Sequence, residues 1–286
     1  MKQKLAPVLL SVSCFAVPAA AQPEATLQAF QEGIYSAATP DLGVLMELSA
    51  EDEGARTAII SVLENGVPVF KTERPDLFSL FYGPTVHIVE MDDTNDVPEV
   101  YISTYTGGAH CCNEIDILTK SASGWREVDF GYYDGDPEAL SPSDLNGDGQ
   151  SEIKTFDNRF FYTFASYAGS SAPIQILGFE NGAFANITAN GDFEWEVRAG
   201  LDDMGTIPEA GEPRNSWLAT YAAYLLTLGE ADPLDYAVGA HDASVDWGMI
   251  RCTVPEVDYS CPEGKSQNIG FEAALTEFLT ETGYLR

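Results

Sequence analysis

Positive charge is scarce in this chain of 286 residues: 14 Lys and Arg stand against 45 Asp and Glu, for a formal net charge of −31. A surface this acidic repels nucleic-acid phosphates and anionic membranes and attracts divalent cations, so nucleic acid is excluded as a partner. Adaptation to a salty habitat accounts for the same charge without any specific partner. Histidine occurs at only three positions, His87, His110 and His241, and none shares an H-x-H or H-x-x-x-H spacing. A zinc site built on histidine therefore has no local support. The chain lacks a Gly-x-Ser-x-Gly elbow, a phosphate-binding Gly-rich loop ending in Lys-Ser or Lys-Thr, and a dinucleotide fingerprint. Beyond the N-terminal segment no run of about 18 apolar residues occurs, so no membrane span is expected.

Lys2 and Lys4, an apolar run from Leu5 to Val17, then Pro18 and Ala19-Ala20-Ala21 form the three regions of a secretory signal peptide. Residues 1–21 are expected to be cleaved after Ala21, giving a periplasmic or secreted protein. Loss of the two lysines takes the formal charge from −31 to −33. Cys111, Cys112, Cys252 and Cys261 remain, and export favours their oxidation. A local Cys252–Cys261 bridge is sterically easy. Cys111 and Cys112 are left to form either a vicinal bridge or two crossed bridges to the C-terminal region.

The most informative segment is Asp144-Leu-Asn-Gly-Asp-Gly-Gln-Ser-Glu152. Ca²⁺ takes six to eight oxygen ligands, at roughly 2.3–2.6 Å, and alternate residues of a tight loop can aim Asp144, Asn146, Asp148, the Gln150 carbonyl and Glu152 at one point. Gly149 stands where the chain must turn with positive φ. Turn chemistry alone explains Asn146, Gly147 and Gly149, but it does not explain three acids and an amide at this alternation. An EF-hand would place its bidentate Glu at loop position 12, which here is Thr155, so the acid at position 9 marks a different loop. The β-favouring residues of Glu152 to Phe164 predict a strand leaving it.

In this form, D-x-N-x-D-G-x-x-E followed by a strand, the segment resembles the FG-GAP or VCBS type of repeat found in integrin-like β-propellers and exported bacterial proteins. The resemblance implies a metal held between strands of a β-rich repeat domain.

Gly66, Gly124 and Gly182 are spaced by equal steps, and each closes a turn between strand-like stretches, which predicts three β-hairpins. Met91 to Val100 reads as a worn copy of the calcium loop, ending in Glu99. Met91 at position 1 and Asp96 at the glycine position leave it weak or empty as a metal site unless the register shifts to use Asp92. Trp217, Tyr221, Tyr224, Leu225 and Leu228 form one helical stripe ending at Gly229, with shorter helices from about Asp232 and about Asn268. Leu27, Phe30 and Ile34 predict a short helix in a lead-in over 22–39. The expected fold is mainly β: a partial propeller-like or stacked antiparallel β-sheet domain over 40–195, a linker over 198–214, and a small helical part over 212–286.

Three functions compete. The first is a non-catalytic exported module, stabilised by Ca²⁺ and binding a protein or carbohydrate, with no catalytic residues assigned. The second is an extracellular or periplasmic hydrolase using carboxylate acid/base chemistry, which requires a cleft with two acids outside the calcium loop. The third uses His110 with Cys111 or Cys112 as a metal or thiol site, against which export argues. Phe160, Phe161, Tyr162 and Tyr167 could form an aromatic platform for sugar or peptide, although core packing is the readier explanation for any one of them.

Overall fold

A computed structural model describes residues 25–52, 54–77, 82–107, 112–255 and 260–286. The predicted leader, His110 and Cys111 lie outside these. Among the described residues the fold is mainly β, as expected, with several antiparallel sheets, short C-terminal helices and no closed barrel.

Strands β1 (Ala25–Gln28), β2 (Gly33–Ala38), β3 (Leu42–Leu48), β4 (Arg56–Glu64), β5 (Val67–Leu77), β6 (Thr85–Val89), β7 (Glu99–Tyr105), β8 (Asn113–Ser121) and β9 (Gly124–Tyr133) come first. They form a four-stranded meander, β2-β3-β4-β5, and a five-stranded sheet in the order β1-β6-β7-β8-β9. Alternation builds the contact between them: Leu42, Val44, Met46 and Leu48 of β3, with Ala58, Ile60 and Val62 of β4, point inward against Val86, Ile88, Val100, Ile102 and Leu118.

The middle strands of the five-stranded sheet are also covered on their other face. There Tyr101, Ile115 and Ile117 meet Leu140, Ile153 and Phe179. The last two residues belong to a three-stranded sheet of β10 (Ile153–Phe156), β11 (Ile174–Glu180) and β12 (Ala183–Asn186). Cover on both faces is why β6 and β7 are buried at nearly every position rather than at alternate ones, polar His87, Glu99, Ser103 and Thr104 included.

The helical part comprises α1 (Glu194–Asp203), α2 (Glu212–Thr227), α3 (Pro233–Ala240) and α4 (Phe271–Glu281), with a small ribbon of β13 (Ile250–Cys252) and β14 (Ser266–Asn268). Its core gathers Leu218, Ala222, Ala223, Leu275 and Leu279 around Phe160 and Phe164.

Several expectations need correction. The lead-in is not helical: Leu27 lies in β1, which pairs with β6, while Phe30 and Ile34 are exposed. Pairing with a strand some sixty residues away overrides a weak local stripe. The strand leaving the 144–152 loop stops at Phe156, because Asp157 accepts from the Arg159 amide and starts a 3₁₀ turn over Asn158–Phe160. Phe160 and Phe164 then enter the helical core rather than an aromatic platform. The predicted linker is helical in its first part, since α1 runs to Asp203. Gly200 belongs in that helix because a Cβ there would lie 2.5 Å from the Tyr224 hydroxyl.

The three equally spaced glycines do sit in hairpin turns, with Asn65 and Asn181 at positive φ before Gly66 and Gly182. The hairpins occupy sheets of four, five and three strands and have unequal arms, so they are not copies of one repeated unit. The result is a stack of antiparallel sheets.

Candidate functional site

The 144–152 loop is framed at its base by a bridge between Ser143 and Glu152, which exchange two backbone hydrogen bonds of 3.0 Å. Its flank is tied to the five-stranded sheet by the Ser151 amide, which donates to the Glu90 carbonyl at 2.8 Å. Gly147 and Gly149 adopt φ of 82° and 98°, so the chain turns twice where a Cβ would be strained. Asp144 is buried and gathers the loop: its Oδ1 accepts from the Gly147 and Asp148 amides, and its Oδ2 accepts from Gly149. Asn146 Oδ1 accepts from the Asp148 amide, and Asp148 Oδ1 from the Gln150 amide. Glu152, also buried, accepts from the Leu145 amide at 2.9 Å.

The five residues singled out by sequence thus occupy one small loop, but the side-chain oxygens of Asp144, Asn146, Asp148 and Glu152 accept from loop amides, Asp148 Oδ2 from the Asn146 side-chain amide at 3.0 Å. Among the described residues no group of three or more His, Cys, Asp or Glu side chains is arranged to hold a metal. The electrostatics nevertheless leave a deficit. Burial, with the charges of Asp148 and Asp144 nearby, pushes the Glu152 carboxyl up to about 7. Among the described residues no Lys or Arg forms an ion pair with Asp144, Asp148 or Glu152. An ionised carboxylate offers about four acceptor positions. Asp144 uses three, and Glu152 is met by the Leu145 amide and its own, so oxygen lone pairs remain for a hard cation, and the donor set fits Ca²⁺ in chemical type.

The loop forms one wall of an open cleft of about 380 Å³, also lined by Asp93, Glu180 and Asp192. Sheet stacking brings these acids together from distant parts of the chain, and no local signal marks Asp93 or Asp192 as partners of the loop.

The other sequence candidates lie elsewhere. His87 is buried between β1 and the 136–143 segment: Nδ1 is 2.8 Å from Thr26 Oγ1, and Nε2 is 3.2 Å from Ser141 Oγ. Burial lowers its pKa to about 4. His241 stacks on Phe271 with Nδ1 2.6 Å from the Val238 carbonyl. Cys252 and Cys261 form a disulfide, as expected. Cys112 is also disulfide-bonded. The Cys252–Cys261 bond removes the crossed-bridge alternative, and the oxidised state of Cys112 removes it as a free thiol.

Residues 197–283 match the family described as the sll0997 C-terminal domain. The chain is 35% identical over 207 residues to the "Probable thylakoid lumen protein sll0997" of Synechocystis sp., covering 70% of this chain and 60% of that protein. It is 33% identical over 210 residues to the "Uncharacterized protein y4bJ" of Sinorhizobium fredii, covering 70% of this chain and 32% of that protein. The chain therefore spans 60% and 32% of these longer relatives. No solved structure matches. These findings overturn the FG-GAP/VCBS resemblance: the matching family is a different one, and no FG-GAP or VCBS repeat family is found. A nine-residue acidic loop is a local device that unrelated folds can carry, so it does not identify a family.

Proposed function

We propose that this is an exported, non-catalytic protein in which the 144–152 loop takes one Ca²⁺, and that its stacked β-sheets serve as a binding module for a protein or carbohydrate. The observation that carries the reading is Glu152: a buried carboxylate beside Asp144 and Asp148, met by backbone amides and without a cationic partner among the described residues. A divalent ion relieves that repulsion and draws Asp144, Asn146, Asp148, the Gln150 carbonyl and Glu152 inward. The ion's role is structural. It pins the start of β10, whose Ile153 is fully buried against the five-stranded sheet.

Export is supported by the leader-like residues 1–21, by the Cys252–Cys261 disulfide, and by similarity to a protein named for the thylakoid lumen. No helix among the described residues is long and apolar enough to cross a membrane.

Affinity on the order of 10⁻⁴–10⁻³ M is expected, the range of extracellular calcium modules. Calcium added to the chelated protein at about ten to one hundred times that constant should raise the melting temperature by roughly 3–8 °C. Magnesium should do less. An unchanged melting temperature across that range of excess would end the proposal.

A further inference from the structure

The 91–99 loop shares the closing glutamate of the 144–152 loop and is filled differently at its centre. In both, a buried glutamate at the end of the loop reaches back to amides at its beginning and leads directly into a strand. Glu152 accepts from Leu145 and precedes β10, while Glu99 accepts on Oε2 from the Met91 and Asp92 amides, both at 3.1 Å, and opens β7.

The other oxygen of Glu99 decides the matter. Oε1 accepts from Asn95 Nδ2 at 2.9 Å and from Thr119 Oγ1 at 2.9 Å. Four donors therefore meet the roughly four acceptor positions of this carboxylate, and its coordination is complete. The same Asn95 amide donates at 3.2 Å to the Asp92 carbonyl, so one NH₂ group draws together a loop carboxylate and a loop carbonyl, as a cation would. Asp92, the ligand that a shifted register would use, is also engaged: Oδ1 accepts from the Thr94 amide and hydroxyl, and Oδ2 from the Gly182 amide of the β11–β12 turn at 2.9 Å.

We infer that the 91–99 loop is a metal-independent twin of the 144–152 loop, with the Asn95 side-chain amide standing where a cation would sit, so that cation binding is confined to the second loop. The comparison rests on the calcium reading of residues 144–152, but the assignment of Asn95 does not. The consequence is a division within one stack of sheets. The β6–β7 connection holds its shape at any calcium level and supplies, through Asp92 and Gly182, a fixed tie to the three-stranded sheet. The β10 connection alone responds to the ion.

Thermal melting of the full chain with and without chelator separates these claims. Asp148→Ala disables the second loop and should melt at one temperature whether or not calcium is present. A calcium-dependent rise retained by this variant would place an ion in the first loop and overturn the inference. Adding Asn95→Asp to that background exchanges a donor for a third carboxylate beside Asp92 and Glu99. The double variant should melt lower in chelator and recover several degrees in millimolar calcium. If it is destabilised but indifferent to calcium, Asn95 is not in a cation's place and the inference falls. Should the double variant fail to fold, Asp148→Ala alone still decides where the ion binds. Wild type indifferent to calcium, with a calcium-responsive double variant, would refute the reading of the second loop and leave this one standing.

Discussion

Arg74 on β5 donates from Nη2 to the Asp116 carboxylate on β8 at 2.7 Å, and the two buried side chains join the four-stranded meander to the five-stranded sheet. Glu127 on β9 takes a second bond from the same nitrogen at 3.0 Å. In a chain with 14 Lys and Arg, one of them is placed where few cations are found, between two packed sheets. Burial pushes the Asp116 carboxyl up to about 6 even with the guanidinium pulling the other way.

Removing one partner is therefore expected to cost more than removing both. Arg74→Met leaves Asp116 buried without its cation and should lower stability by about 3–5 kcal/mol in urea unfolding at pH 7. Combining it with Asp116→Leu should restore most of that loss, because an apolar pair has no charge to desolvate. A single variant within about 1 kcal/mol of wild type would show that the pair does not hold the sheets together.

His87 gives the protein a sensitivity to acid. Its folded-state pKa is lowered from 6.5 to about 4 by burial, so the unfolded chain takes up a proton that the folded one refuses. The stability it contributes is present above pH 6.5 and is lost as pH falls toward about 4. Asp116 and Glu99, whose values are raised, act with the opposite sign, so the measurement must be a difference. Wild type should lose up to about 3 kcal/mol more than His87→Gln between pH 7 and pH 4, read from denaturant midpoints. Parallel curves for the two proteins would rule out a buried neutral imidazole.

What the sequence made legible was local. Asn65-Gly66 and Asn181-Gly182 specify their turns by positive φ within two residues, and the α2 stripe from Trp217 to Leu228 declares itself within four turns. The 144–152 turn could likewise be recognised as a loop because its Asp, Asn and Gly signals lie in nine consecutive residues. What stayed hidden depends on distant contacts. β1 is a strand because β6 lies beside it, and the glycine inside α1 answers to distant Tyr224, whose hydroxyl leaves no room for a Cβ at Gly200. Asp93 and Asp192 reach the loop's cleft only through sheet stacking. The saturation of Glu99 needs Thr119 from β8, which no reading of residues 91–99 alone would supply.

The central claim is that Asp144, Asn146, Asp148, Glu152 and the Gln150 carbonyl share one calcium ion, and a crystal structure of the protein grown in millimolar calcium tests it most directly. The account predicts an ion with these oxygens at roughly 2.3–2.6 Å and no ion within the 91–99 loop. A 144–152 loop that keeps its carboxylates on the Gly147, Gly149 and Leu145 amides, with no ion among them at that concentration, would contradict it.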